Sequence, residues 1–295
     1  MTSTILIDAS TAPTPPLPQS VRVPLPGPGQ TFGGVMRGER IKFTSLRSIR
    51  LTLFITAAFG LALSTLVALL WSAEMGGAPG GVDALGAEAL QGYLLLVATL
   101  AAPFLALVFG VLGVFAISSE YSSGMIQSTL TAVPRRTPVY LAKALVLALV
   151  SALTAVVLVF GGLGIAAVVM PAAAVYIGSS VVISGALGTV AYLVLISLFA
   201  FGVSALLRST AGGIAVVAGI TFVLPVVFQI LTMMNWEWVN VVSSYLPMPL
   251  GFVLSQGVID SGGNPDFWQA LLAMAVWAVA VLVPAAILFK RRDAH

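Results

Sequence analysis

Long apolar runs without a single charge dominate the chain, and charged residues that hydrocarbon would exclude mark their ends. About 20 apolar residues cross the ~30 Å core of a bilayer, so the charge-free intervals outline candidate spans. Leu51–Ala73 lies between Arg50 and Glu74, and Ala89–Ser119 between Glu88 and Glu120. The interval from Lys143 to Arg208 holds two spans, 143–169 and 183–207, with Pro171 and Tyr176–Ser180 as the turn between them. A fifth span covers 211–234 and a sixth 267–289. The pattern therefore predicts an all-α polytopic membrane protein with six transmembrane helices. Runs such as Leu145–Val169 lack the alternation of barrel strands.

The charges set the expected orientation. Arg22, Arg37, Arg40, Lys42, Arg47 and Arg50 precede the first span, and Arg135, Arg136 and Lys143 follow the second. Arg208 follows the fourth, and Lys290, Arg291 and Arg292 follow the sixth. The alternate loops carry Glu74, Asp83, Glu88, Glu237, Asp260 and Asp266 and no basic residue. The positive-inside rule then puts both termini in the cytoplasm. No charge is expected within a span, which leaves a proton relay or buried ion-coupling site without candidate residues.

Composition agrees. Of 295 residues, 59% are apolar and only 8% charged, with a mean hydropathy of +1.08, far from the roughly 25% charged of a soluble domain. The chain has no cysteine, and its one histidine is the terminal His295. Thiolate metal sites, disulfides and histidine catalysis are excluded. The +3 net charge sums 13 basic residues confined to one set of loops and 10 acidic residues spread over both, and it does not point to nucleic acid. Residues 1–34, with seven prolines between Pro13 and Pro28, read as a disordered or polyproline-like tail without a signal peptide. The membrane-spanning region is 35–292, followed by a short tail, 293–295.

Two cytoplasmic segments carry candidate function. Val35–Arg50 mixes Arg37, Glu39, Lys42 and Arg47 with Phe43, Leu46 and Ile49, an apolar face expected of an interfacial helix. It serves as a membrane-surface anchor, as a contact for a cytoplasmic partner, or as both. In the connection Ser118–Lys143, Glu120 and Tyr121 close the second span and Gly124 permits a bend. Met125–Ala132 makes about two helical turns bearing Met125, Ile126 and Leu130, and Pro134 stops them before Arg135 and Arg136. Those apolar residues need headgroups or another protein to cover them. Glu120 is expected to pair with an upstream cation such as Arg47 or Arg50.

The run E-Y-S-S-G-M-I-Q-S-T-L-T-A-V-P-R-R resembles the loop after the second span of type-2 ATP-binding-cassette exporter permeases. E-R-I-K-F-T-S-L-R-S resembles the elbow before their first span. The resemblance covers roughly 35–292. It implies a bacterial plasma-membrane subunit whose Met125–Ala132 coupling helix docks on a separate P-loop ATPase, which would bind the ATP and Mg. It also implies a second permease copy or homologue, and a pair of short outer helices before the last span. The small residues Ala102, Ala106 and Gly110, and Ala211, Ala215 and Gly219, are four apart. They favour close helix approach within the chain, or at such a dimer interface.

No glycine–lysine pair exists, so the chain carries no P-loop of its own. The outer acids carry no spacing that unites them in an acid–base pair, and no enzyme is expected. Few polar groups lie within the spans, which suits a hydrophobic or amphipathic cargo. The alternative is a nucleotide-independent membrane protein, either a structural or assembly factor or a secondary transporter.

Overall fold

The computed structural model describes residues 31–76, 85–125, 136–234, 236–259 and 265–291. Among the described residues, the regular structure is helical. Helix α1 (Phe32–Ser45) is capped by Thr31, whose hydroxyl accepts from Gly34 N–H at 3.2 Å. Leu46 then adopts an extended conformation, and α2 (Arg47–Gly76) begins at once. Arg47 and Ile49 therefore belong to the first long helix and do not continue α1.

The second span consists of α3 (Ala87–Thr99) and α4 (Ala102–Ser122), separated at Leu100–Ala101. Pro103, which cannot donate an N–H and crowds the preceding turn, accounts for the break. Helix α5 (Arg136–Val169) is followed by the short α6 (Pro171–Ala174), a turn, and α7 (Ser180–Leu207), capped by Ser179. The fifth span runs through α8 (Thr210–Ala218), a π-helical turn (Gly219–Val223) and α9 (Leu224–Leu231). Pro225 obstructs the carbonyl of Thr221 four residues before it, and the wider turn absorbs that clash. Two short helices follow, α10 (Glu237–Ser244) and α11 (Pro247–Gln256), before the last long helix, α12 (Phe267–Arg291).

Among the described residues, six helical segments are long and apolar enough to cross a membrane: Arg47–Met75, Ala87–Ser122, Thr137–Val169, Ser180–Leu207, Thr210–Thr232 and Phe267–Lys290. The expectation of charge-free spans is corrected by Lys143. It lies inside the third of these helices and is only 5% exposed. A buried charge persists only when it is paired, and two carboxylates pair it, as described below.

Helix α7 is the hub, packing along α4 and α12 most extensively and also along α5 and α11. Tyr192, Leu193, Ile196 and Phe199 of α7 are buried against Phe109 of α4, Leu250 and Leu254 of α11, and Met274 of α12. Small residues permit the closest crossings. A Cβ on Gly113 would strike the Ser197 carbonyl, and one on Gly188 the Leu254 carbonyl. Large apolar side chains cover the outside instead, with Phe54, Leu153 and Val168 all more than two-thirds exposed. Hydrocarbon is the solvent that such a surface suits.

Candidate functional site: a buried charge cluster and an apolar cavity

Glu39 and Lys42 stand three residues apart, on neighbouring turns of α1, so they share a face. That face meets the last turn of α4, which carries Glu120, and the second turn of α5, which carries Lys143. Lys143 Nζ donates to Glu39 Oε2 at 2.6 Å and to Glu120 Oε1 at 2.5 Å. Lys42 Nζ reaches Glu39 Oε1 at 3.3 Å and Glu120 Oε1 at 3.4 Å. Two carboxylates thus face two ammonium groups, and the cluster is neutral as a whole. Burial opposes the charge on Lys42, but the Glu120 and Glu39 carboxylates outweigh it and hold its pKa above the ordinary 10.5. Glu120 Oε2 is buried without a hydrogen-bond partner.

The expected partners of Glu120, Arg47 and Arg50, are replaced by Lys42 and Lys143. The bend at Leu46 is the reason, since it transfers both arginines to α2 and leaves Lys42 on the face that meets α4. The charge pattern makes Lys143 a span boundary, yet α5 already starts at Arg136 and carries Lys143 about 10 Å along its axis. A lysine in an otherwise apolar helical stretch, Val139–Val146, was the available signal.

The neighbouring residue extends this contact network. The Arg208 guanidinium lies 5.3 Å from the centre of the Tyr121 ring. Arg208 closes α7 in a left-handed conformation (φ 53°), unfavourable for a residue with a Cβ, and its N–H donates to Ser204 O at 2.8 Å. Gly124, also left-handed at φ 70°, ends α4 without that cost, and Met125 beyond it is exposed. Ile126, Leu130, Pro134 and Arg135 lie outside the described residues, as does the side chain of Arg136. The proposed coupling helix therefore rests on its sequence and on the two stems that flank it.

The two small-residue stripes have different surroundings. Ala102 and Ala106 are buried inside the chain, and a Cβ on Gly110 would come within 3.1 Å of Val217 on α8. Ala211 and Ala215 are exposed, and Gly219 has open space beside it. Of the interfacial residues, Arg37 and Leu46 are exposed, and Phe43 packs against the cluster around Tyr140 and Phe289.

At the opposite end of the bundle, the breaks at Pro103 and Pro225 leave room for a cavity of about 560 Å³. Leu96, Thr99, Tyr192, Gln229 and Phe252 are among its walls. The cavity is not legible in the sequence, because its walls come from five separate segments. A second cavity of about 460 Å³ shares Leu96, Thr99, Phe252 and Ser255 with the first and continues toward Glu88, Gln91 and Gln256. Among the described residues, no group of three or more His, Cys, Asp or Glu side chains is placed to hold a metal ion.

No family model matches the chain, and no curated protein matches it either. Its own helices establish the class. The chain is a polytopic all-α membrane protein.

Proposed function

We propose that the protein is the membrane-spanning permease subunit of an ATP-driven exporter, powered by a separate P-loop ATPase and paired with a second permease copy or homologue. One observation carries this reading: the buried Glu39–Lys143–Glu120 cluster joins α1 to both stems of the 126–135 segment. A partner pushing on that segment would move the end of α4 and the start of α5 together, and α1 with them. The Tyr121–Arg208 contact extends the same link to the turn between α7 and α8. Helix motion driven from one loop requires such stiff connections at its base.

In this reading both termini and the 126–135 segment face the cytoplasm of a bacterial cell, where the basic residues concentrate. Chemistry resides in the partner, which binds ATP and Mg, and this chain acts as a transport subunit without catalysis of its own. The apolar cavity suits a hydrophobic or amphipathic cargo.

Purification of the intact complex from native membranes tests the proposal. A P-loop ATPase is expected to co-purify, and Met125→Asp combined with Leu130→Asp to abolish the association while the protein remains folded. Transport by the purified chain in vesicles without any ATPase would overturn it.

A further inference from the structure

The two adjoining cavities form a trough along one face of α3. Glu88, Gln91, Leu95 and Thr99 follow one another at intervals of three or four residues, which keeps them on a single helical face. From Glu88 to Thr99 that face extends about 16 Å. Its character changes along its length, from a carboxylate and amides at the open end to leucines and then to the Tyr192 ring in the larger cavity. Gly92, in the middle, has nothing within 4 Å of where a side chain would begin, so the trough is open there.

Two features say what would fill it. Within the larger cavity, the hydroxyls of Thr99 and Ser255 donate to the carbonyls of Leu95 and Phe252. The hydroxyl of Tyr192 has no partner although the residue is only 2% exposed. Its Cζ, the carbon bearing that hydroxyl, lies 2.5 Å from where a Cβ on Gly251 would be, and Gly251 is itself a wall of the cavity. A buried donor without an acceptor is costly, and an acceptor on a bound molecule would relieve that cost. At the mouth stands the Glu88 carboxylate, and among the described residues no lysine or arginine lines either cavity. Its field attracts cations.

We propose that this trough is a binding site for a cationic amphiphile, with its amine at Glu88, its apolar body along Leu95 and Leu96, and a hydrogen-bond acceptor at the Tyr192 hydroxyl. The site requires neither an ATPase nor a second copy of the chain. It therefore stands or falls separately from the exporter reading.

The test uses the full chain in phosphatidylcholine nanodiscs without nucleotide, with radiolabelled 12-methoxydodecylamine as probe and empty nanodiscs as background. Saturable binding is expected, displaced by the unlabelled amine at least tenfold better than by 12-methoxydodecanoate. Gly92→Leu, which fills the open middle of the trough, lowers affinity at least tenfold. Glu88→Gln removes most of the preference for amine over carboxylate. The wild-type protein favours the methoxy compound over dodecylamine about fivefold, and Tyr192→Phe abolishes that difference alone. Absence of saturable binding, equal affinity for amine and carboxylate, unchanged binding in Gly92→Leu, or a methoxy preference that survives Tyr192→Phe would each overturn the assignment.

Discussion

Lys143 Nζ lies 2.6 Å from Glu39 Oε2, although 104 residues separate them in the chain. The pair fastens a surface helix to the interior of a long apolar one, and Glu120 completes it from a third helix. A lysine 5% exposed persists there because two carboxylates meet it.

Replacement of Lys143 by methionine should be strongly destabilising. Glu39 and Glu120 would then share only Lys42, and an uncompensated buried charge costs about 3–5 kcal/mol. Thermal unfolding in detergent should show a lower midpoint for Lys143→Met. Adding Glu120→Gln should recover part of the loss, since the two residues act as a unit. Strict additivity of the two changes would show that they are not coupled.

Lys42 gives the cluster an alkaline limit. Its folded-state pKa is raised above the ordinary 10.5, chiefly by Glu120 and Glu39 against the opposing effect of burial. The stabilisation from its charge is therefore complete below about pH 10.5 and disappears as pH rises through the higher folded value. Unfolding midpoints of the wild type and Lys42→Met, compared across pH, should differ by a constant amount up to that point and converge above it.

Close helix crossings predict a second class of sensitive sites. Gly188→Leu drives a side chain into the Leu254 carbonyl, and overpacking of this kind costs about 1–3 kcal/mol or more. Gly164→Ala, with open space beside it, should be neutral or slightly stabilising through its helix preference. Thermal midpoints of the two variants measured in parallel check the contrast.

Arg208 combines backbone strain with a side-chain contact. Arg208→Gly relieves a left-handed conformation worth about 1–2 kcal/mol but removes the cation–π contact with Tyr121, worth about 0.5–1 kcal/mol at an accessible site. The net effect on stability should be small. Tyr121→Leu should destabilise the wild type measurably and the Arg208→Gly background less. Equal effects in both backgrounds would show that the ring and the guanidinium do not interact.

Topology is open to direct labelling, because the chain has no cysteine of its own. A thiol at Glu88 should react with an impermeant maleimide added outside intact cells, and one at Arg40 only after permeabilisation. The reverse pattern would invert the orientation proposed from the basic residues.

The number of long helices and their approximate limits were legible in the sequence, since the avoidance of charge by hydrocarbon acts residue by residue and needs no knowledge of neighbours. The same locality explains why the turn after Pro171 could be read directly, whereas the cap at Ser179 came from the structure. The interruptions at Pro103 and Pro225 were less visible, because a proline within an apolar run either kinks a helix or ends it, and the packing around it decides which. Only the tertiary structure showed that Glu120 meets Lys42 and Lys143, that one small-residue stripe is buried while the other is exposed, and that five segments enclose a cavity around Tyr192. Those relationships depend on how closely helices approach one another. Contacts such as Gly113 on Ser197 and Gly188 on Leu254 set that approach between residues far apart in the chain.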